Sequence, residues 1–360
     1  MRMPDLGAAT ALLLLLCATG HAQTVGERLA AQAEIGAVVT PVGTDELSTL
    51  RFSFPGGVHA RPDVRYSMIS GYRELKLDLY LPPDAFNARG PRPLLVYIHG
   101  GGWQGGGPRR SAAFLSWPRV LASVAAQGYV VAAVGYRFSR EAPFPAQIQD
   151  VKSAIRWLRV HATEYNIDPN RAMVWGQSAG GQLAGLAAVT CGIAALAPAP
   201  RIAAPGHPAA EVQDSAPPGF DEASDCVQGA VVWFGVFDFA ALQSEVARGG
   251  PMAAFLGCNG AAPCTPAQLS APSALTYVNG SDPPILIMHG TDDRLVPIAQ
   301  SQEFYDSLVA HGVRAEFIKV PDVGHSFLGK SPDATRAASR MALQKTIDFI
   351  DATIGDRARH

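Results

Sequence analysis

The stretch that decides the fold is RAMVWGQSAG at residues 171–180, continued by QLAGLAAV at residues 182–189. The first half, Arg171–Trp175, is a short, largely apolar run that predicts a buried strand, and the small residues and leucines of 182–189 predict a helix. The chain must turn sharply at Ser178, and the flanking glycines allow that turn because they have no Cβ. The helix then directs its first N–H groups toward the serine hydroxyl. This geometry suits a nucleophile.

Composition gives no electrostatic reason to expect nucleic acid or an anionic membrane surface as a partner. The chain has 360 residues, of which 48% are hydrophobic, and a formal net charge of −2. That length is ample for a sizeable core, and a charge close to zero does not favour binding to polyanions. The sequence contains no internal repeat and no charged tail, and it leaves the oligomeric state open.

The N-terminus has the pattern of a secretory signal. Arg2 precedes an apolar run over residues 8–18, and small residues follow as far as Ala22. About ten apolar residues are too few to span a bilayer as a helix. We therefore expect a signal peptide at 1–22, cleaved after Ala22, and a secreted or periplasmic protein without a stable membrane anchor. A buried N-terminal helix is the alternative.

Four cysteines remain beyond that signal: Cys191, Cys226, Cys258 and Cys264. An even count in an exported protein favours two disulfides, and three connectivities are possible. We favour Cys258–Cys264, which bracket a short loop, together with Cys191–Cys226. The latter would staple an insertion at about residues 190–228, rich in Pro, Ala and Asp, that is either a lid near the site or inert surface. No metal site is expected, because the cysteine and histidine spacings do not fit zinc.

The chain pattern predicts a polar surface arm at residues 23–60 and an α/β domain at residues 61–360. Leucines alternate along 74–81, which is typical of a half-buried antiparallel strand. Six short apolar runs typical of strands buried on both faces follow, at 94–98, 129–134, 172–175, 230–234, 285–288 and 315–320. Helical periodicity marks residues 148–158 and 343–354. These alternating elements predict a mostly parallel sheet of about eight strands with helices on both faces.

Chemically active residues follow several of these strands, where α/β proteins place their sites. A serine nucleophile needs a base and an acid that orients the base. His325 follows the last predicted strand and completes the chain order serine, aspartate, histidine. Asp292 and Asp293 follow the preceding strand, and their chemistry alone does not separate them.

A candidate oxyanion hole lies in HGGGW at residues 99–103. Consecutive glycines carry an entropic cost, so close approach of the backbone to a ligand explains them better than mere flexibility. Gly101 and Gly102 can direct their N–H groups into the site, and Ala179 supplies another at the start of the helix after the serine.

Taken together, these motifs resemble the α/β-hydrolase superfamily, and within it the bacterial esterase/lipase group related to hormone-sensitive lipase, feruloyl esterase-like and acetyl-esterase proteins. The matching segments are HGGGW at 99–103, YRFSREAPFPAQIQD at 136–150, IDPNRAMVWGQSAGG at 167–181, PPILIMHGTDDRLVP at 283–297 and VGHSF at 323–327. They extend over roughly residues 65–355. The resemblance implies an α/β-hydrolase fold and assigns the acid to Asp293. It also implies that Tyr136, Arg137 and Asp150 brace the nucleophile elbow.

The resemblance implies a secreted serine carboxylic ester hydrolase acting on a small-molecule ester: short-chain, aromatic or carbohydrate. Ser178 would be the nucleophile, His325 the base and Asp293 the acid, with no metal or organic cofactor and no nucleic-acid partner. The alternatives are an amidase or peptidase on the same fold and a non-catalytic binding module. The 190–228 insertion has no counterpart in the family pattern, so acyl and alcohol specificity stay open.

Overall fold

The computed structural model describes five segments of the chain. They are residues 51–69, 71–111, 114–198, 217–258 and 263–356. The predicted signal peptide, most of the predicted arm and the middle of the predicted insertion lie outside these segments. What the sequence predicts for them stays a prediction.

A sheet of nine strands crosses the described segments, one strand more than expected. In chain order the strands are β1 (Phe52–Phe54), β2 (Val58–Ser67), β3 (Leu75–Leu81), β4 (Arg92–Ile98), β5 (Val130–Val134), β6 (Ile167–Gln177), β7 (Gly229–Trp233), β8 (Ile285–Gly290) and β9 (Ala315–Val320). Their order across the sheet is β1-β2-β3-β5-β4-β6-β7-β8-β9. The strands from β5 to β9 in this order pair in parallel, whereas β1, β2 and β3 pair antiparallel. The predicted mostly parallel sheet is confirmed.

The differences from expectation lie at the two edges of the sheet. β1 and the start of β2 precede residue 61, so the boundary predicted between arm and domain falls inside a strand. Val58 and Ala60 are buried, but the polar residues that follow them hid this alternation in the sequence. At the other edge, β9 is not buried on both faces as expected. Its Glu316 and Lys319 are exposed because an edge strand has a neighbour on one side only.

Helices cover both faces of the sheet. Those of the described segments are α1 (Trp117–Ala125), α2 (Ala146–Val160), α3 (Ala179–Val189), α4 (Gln243–Ala247), α5 (Pro251–Leu256), α6 (Pro266–Ser270), α7 (Ala299–Ala310) and α8 (Pro332–Ile354). α1 and α8 share a core with one face, and α2, α3 and α7 with the other. Because strand side chains alternate, the adjacent residues Leu94 and Leu95 enter different cores. This two-sided layering matches an α/β-hydrolase fold.

Both favoured disulfides are present. Cys191 is bonded to Cys226 across 35 residues, and Cys258 to Cys264 across six. The first disulfide joins the two ends of the predicted insertion, as the sequence suggested.

Ionic and hydrogen-bonding contacts also fix the two ends of the insertion to α2. The Nζ of Lys152 donates a hydrogen bond of 2.6 Å to the carbonyl of Thr190 and lies 3.1 Å from the carboxylate of Asp225. Arg156 pairs with the other oxygen of Asp225 at 2.6 Å. Burial lowers the pKa of Lys152, and the nearby Asp225 carboxylate partly offsets that effect. The base of the insertion is therefore fixed to the α/β core by both covalent and charged contacts.

Candidate active site

Ser178 lies on a strained turn between β6 and α3. Its backbone angles, φ 54° and ψ −122°, are unusual for a residue with a side chain. Its N–H donates to the carbonyl of Trp233 at 2.9 Å, which ties the turn to β7. A Cβ on Gly180 would meet the carbonyl of Ile98, so only glycine permits this approach of α3 to β4. The turn holds the serine hydroxyl above the carboxyl end of the sheet, as the sequence motif predicts.

Three predicted site residues form one hydrogen-bonded chain. The Oγ of Ser178 lies 2.9 Å from Nε2 of His325, and Nδ1 of His325 lies 2.7 Å from Oδ2 of Asp293. The three side chains follow β6, β9 and β8, respectively. When Nδ1–H donates to the carboxylate, the Nε2 lone pair faces the serine hydroxyl. The arrangement can therefore take the proton from Ser178.

The carboxylate of Asp293 accepts four hydrogen bonds. Oδ2 accepts from His325 and from Nε2 of His289 at 3.1 Å, while Oδ1 accepts from the N–H groups of Leu295 at 2.9 Å and Val296 at 3.0 Å. Burial raises the pKa of Asp293, but the hydrogen bonds from His289 and His325 outweigh burial and hold that pKa below its usual value. Asp293 is therefore ionised near neutral pH and can stabilise a positive charge on His325.

The contact between His289 and Asp293 was not predicted. His289 is fully buried at the end of β8, and its Nδ1 accepts a hydrogen bond of 2.7 Å from the hydroxyl of Ser301. Its Nε2–H is shared between Asp293 and the carbonyl of Val296. The signal for this contact was the four-residue spacing from His289 to Asp293, which one tight turn after a strand can bring together. His289 thus helps to fix the same carboxylate oxygen that accepts from His325.

Asp292 and Asp293 occupy different environments, although they are adjacent. The N–H of Asp292 donates to the carbonyl of Val323 at 3.0 Å, and its carboxylate lies 3.4 Å from the hydroxyl of Thr291. These contacts shape the turn after β8 and do not reach His325. Of the two aspartates, only Asp293 is part of the hydrogen-bonded series that leads through His325 to Ser178.

The glycine loop after β4 borders the same cleft as Ser178. Gly101 has φ +127°, and a Cβ there would meet the carbonyl of Gly105, so no other residue fits. Gly101 and Gly102 both line the cleft next to the serine. Ala179 is the first residue of α3, so its N–H has no acceptor within the helix. These N–H groups are the candidates for holding an oxyanion.

A buried glutamine that was not predicted from the sequence links the glycine loop to α3. Nε1 of Trp103 donates to Oε1 of Gln182 at 3.0 Å, and Nε2 of Gln182 donates to the carbonyl of Pro272 at 2.9 Å. The Trp103 ring also stacks on Phe255 with centroids 4.3 Å apart. A lone polar residue among the small residues of α3 was the available signal. Gln182 therefore holds the glycine loop and the nucleophile helix in fixed relation.

Of the three implied bracing residues, Tyr136 acts on the start of the glycine loop. The hydroxyl of Tyr136 donates to the carbonyl of His99 at 3.0 Å, and the two rings stack 4.4 Å apart. Burial lowers the pKa of His99 to about 4, so the ring is neutral near pH 7 and its Nδ1–H donates to the carbonyl of Gly100. Arg137 forms a buried pair with Asp150 at 2.7 Å, joining the chain after β5 to α2.

Ser178 opens into a cleft of about 630 Å³, a size suited to a small organic ligand. Its lining includes Gly101, Gly102, Phe234, Leu295 and His325. The described ends of the predicted insertion, 190–198 and 217–228, do not line it. Among the described residues, no helix has both the length and the apolarity to cross a membrane.

Comparisons with known proteins agree with this geometry. A family model described as BD-FAE matches residues 77–308. The esterase LipQ of Mycobacterium tuberculosis is 29% identical over 288 residues, covering 80% of this chain and 61% of that protein. The probable carboxylic ester hydrolase LipM of that organism is 32% identical over 247 residues, covering 64% and 48%. The chain thus spans about half to three fifths of the length of these two relatives. A truncated carbohydrate esterase from gut microbiota has a TM-score of 0.63 and 26% identity, covering 87% of this chain and 99% of that one.

Proposed function

The chain belongs to the BD-FAE family of α/β-hydrolase esterases, and we propose that it is a serine carboxylic ester hydrolase. The observation that carries the proposal is the hydrogen-bonded chain from Ser178 through His325 to Asp293. A serine hydroxyl is a weak nucleophile unless a base takes its proton, and the base needs an oriented, charged partner. The relatives named esterases support the same reaction class.

In the first half of the reaction, His325 takes the proton as Ser178 attacks the ester carbonyl. Asp293 keeps the imidazole in the tautomer that accepts at Nε2 and stabilises the imidazolium that forms. The tetrahedral oxyanion accepts hydrogen bonds from the N–H groups of Gly101, Gly102 and Ala179. His325 then returns the proton to the alcohol, which leaves an acyl group on Ser178.

In the second half, water replaces the alcohol. His325 takes a proton from this water as it attacks the acyl group, and the same N–H groups receive the second oxyanion. Collapse releases the carboxylic acid and returns the proton to Ser178. The chemistry uses this chain's own residues throughout.

Short-chain, aromatic and carbohydrate esters are the substrates we propose. The cleft of about 630 Å³ is open at the surface and is broad enough for a sugar or an aryl group beside a small acyl chain. The similarity to a carbohydrate esterase supports the carbohydrate class. We also propose secretion, since the leader pattern at residues 1–22 and the two disulfides fit an oxidising compartment.

Ser178→Ala tests the proposal with a panel of p-nitrophenyl esters from acetate to palmitate beside the matching anilide. We expect turnover of the short esters by the wild type, slow or no anilide cleavage, and at least a thousandfold lower kcat in the variant, the scale of triad deletions. Ser123→Ala, which changes an exposed serine of α1, is the matched control and should keep wild-type turnover.

Two outcomes would contradict the proposal. Near-normal ester turnover by a folded Ser178→Ala protein would remove Ser178 from the chemistry. Anilide cleavage faster than ester cleavage by the wild type would make the protein an amidase or peptidase instead.

A further inference from the structure

A second cleft adjoins the catalytic cleft. It also measures about 630 Å³, and Phe114 and Leu115 line both clefts. The loop after His325 and the first two turns of α8 form its other wall, so we call it the α8 groove. Since the two clefts share this wall, the groove offers a path for a molecule bound at Ser178 that is longer than the catalytic cleft.

The α8 groove is basic. Lys330, Arg336 and Arg340 line it, all three are exposed, and neither Lys330 nor Arg340 has an ion-pair partner among the described residues. Arg336 lies 3.4 Å from Asp333, but that carboxylate is 91% exposed and the pair is correspondingly weak. Arg110 adds an unpaired guanidinium to the catalytic cleft in the described segments. These cations are available to an anionic ligand.

Arg110 differs from its neighbour Arg109, whose guanidinium is paired with two carboxylates. Arg109, which precedes Arg110, is held by the carboxylates of Asp78 at 2.6 Å and Asp63 at 2.8 Å. In contrast, no acidic side chain of the described segments lines either the catalytic cleft or the α8 groove. Lys330, Arg340 and Arg110 therefore keep positive charges that no carboxylate of the described segments neutralises.

A buried hydroxyl lies in the wall of the groove. Ser339 is only 2% exposed, it is one of the lining residues, and its Oγ has no hydrogen-bond partner among the described residues. Buried polar atoms are nearly always paired, so an unpaired one calls for an explanation. The N-terminus of the 23-residue helix α8, at Pro332, adds positive potential at the same groove. Cations, a hydroxyl and a helix N-terminus together suit a carboxylate or a polyhydroxylated ligand.

The reaction geometry indicates which part of the ester reaches this groove. His325 returns the proton to the leaving alcohol, so the alcohol lies on the imidazole side of Ser178. The chain runs from His325 through only four residues to Lys330, the first cation of the α8 groove. The alcohol part of the substrate therefore faces the basic groove.

We propose that the α8 groove binds carboxylates on the alcohol part of the substrate, which makes an esterified, uronate-bearing oligosaccharide the preferred substrate class. This inference rests on the proposed ester hydrolysis at Ser178. An anionic lipid surface carries the same charge, but a concave groove with a buried hydroxyl fits a sugar chain better than a membrane plane.

The test compares acetylated oligogalacturonides with acetylated neutral xylo-oligosaccharides of equal length. We expect the wild type to prefer the acidic substrate in kcat/KM. A triple variant should lower that preference about tenfold, because each exposed cation–carboxylate contact changes kcat/KM by a factor of roughly 1.4–5. The variant carries Lys330→Gln, Arg336→Gln and Arg340→Gln. Added salt should lower it in the wild type as well. Lys345→Gln, an exposed cation of α8 outside the groove, is the matched control.

Binding is measured separately with Ser178→Ala, by calorimetry with unesterified tetragalacturonate and with xylotetraose. Binding of the acidic sugar alone, lost in the triple variant, supports the inference. Equal kcat/KM for both substrate classes, or binding to phosphatidylglycerol vesicles but not to tetragalacturonate, overturns it. If the wild type hydrolysed no p-nitrophenyl acetate, the proposed function would be wrong. The calorimetry would still test the groove, because binding of unesterified sugars does not require turnover.

Discussion

Asp293 is the residue at which the contacts of the site converge. Two histidines and two backbone N–H groups donate to its carboxylate, so its position and its charge are both fixed. The carboxylate of Asp292, one residue earlier, accepts from neither histidine; within the described segments its one hydrogen bond comes from the hydroxyl of Thr291. Adjacent residues of identical chemistry therefore have different environments, which provides a matched comparison.

Asp293→Asn is expected to lower kcat on p-nitrophenyl acetate by a thousandfold or more. The amide carries no charge to stabilise the imidazolium. Its NH₂ group is also a donor, so it cannot accept the hydrogen bonds that the N–H groups of His289 and His325 donate. Steady-state kinetics near pH 7.5 measure the effect. Asp292→Asn should stay within about threefold of the wild type, as surface changes usually do. A large loss in Asp292→Asn with little in Asp293→Asn would reverse the assignment.

At the scale of elements, α3 and the glycine loop after β4 work as one unit. α3 is buried along its whole length, which its alanines and glycines permit, and it begins at the residue after the nucleophile. Gln182 joins it to Trp103 in the loop and to the carbonyl of Pro272. Movement of either element would separate the candidate oxyanion donors Gly101 and Gly102 from Ser178.

Gln182→Met keeps the side-chain length but removes both hydrogen bonds. It leaves Trp103 Nε1–H and the Pro272 carbonyl unpaired in the core, at about 1–3 kcal/mol for each group. We expect lower stability and about a tenfold lower kcat with a smaller change in KM, because oxyanion stabilisation acts in the transition state. Gln344→Met, at an exposed position of α8, is the control. A stability loss without any loss of kcat would show that Gln182 does not position the loop.

Across the whole molecule, the site depends on residues far apart in sequence. Ser178 and His325 are separated by 147 residues and meet because parallel strands bring their carboxyl ends to one edge. The Cys191–Cys226 disulfide joins the two ends of the insertion, and Asp225 pairs with Lys152 and Arg156 of α2. The two disulfides close loops of very different length, which should separate their effects on stability.

Replacing Cys191 and Cys226 by alanine should cost about 4 kcal/mol of unfolding free energy, against about 2 kcal/mol for Cys258 and Cys264. The difference follows from the separations of 35 and six residues, since the longer loop constrains the unfolded chain more. Urea denaturation of both double variants under oxidising conditions measures it. A larger loss for the Cys258/Cys264 variant would mean that native-state contacts, rather than loop length, set the order.

The sequence by itself determined the features that depend on a few consecutive residues. The elbow at Ser178, the glycine loop at 99–103 and the strand–helix alternation all follow from local backbone freedom and hydrophobic period. The favoured cysteine pairing also needed only composition and spacing. For this reason the mostly parallel sheet and its covered faces were predicted well.

Only the tertiary structure decided which side chains meet across elements. It brought His289 and His325 to the same carboxylate oxygen of Asp293, joined Gln182 to Trp103, and added β1 and the start of β2 to the sheet. It also gathered Lys330, Arg336 and Arg340 in the α8 groove beside the catalytic cleft. These contacts depend on strand order and helix packing, which are set by burial summed over the whole core and not by any short stretch of sequence.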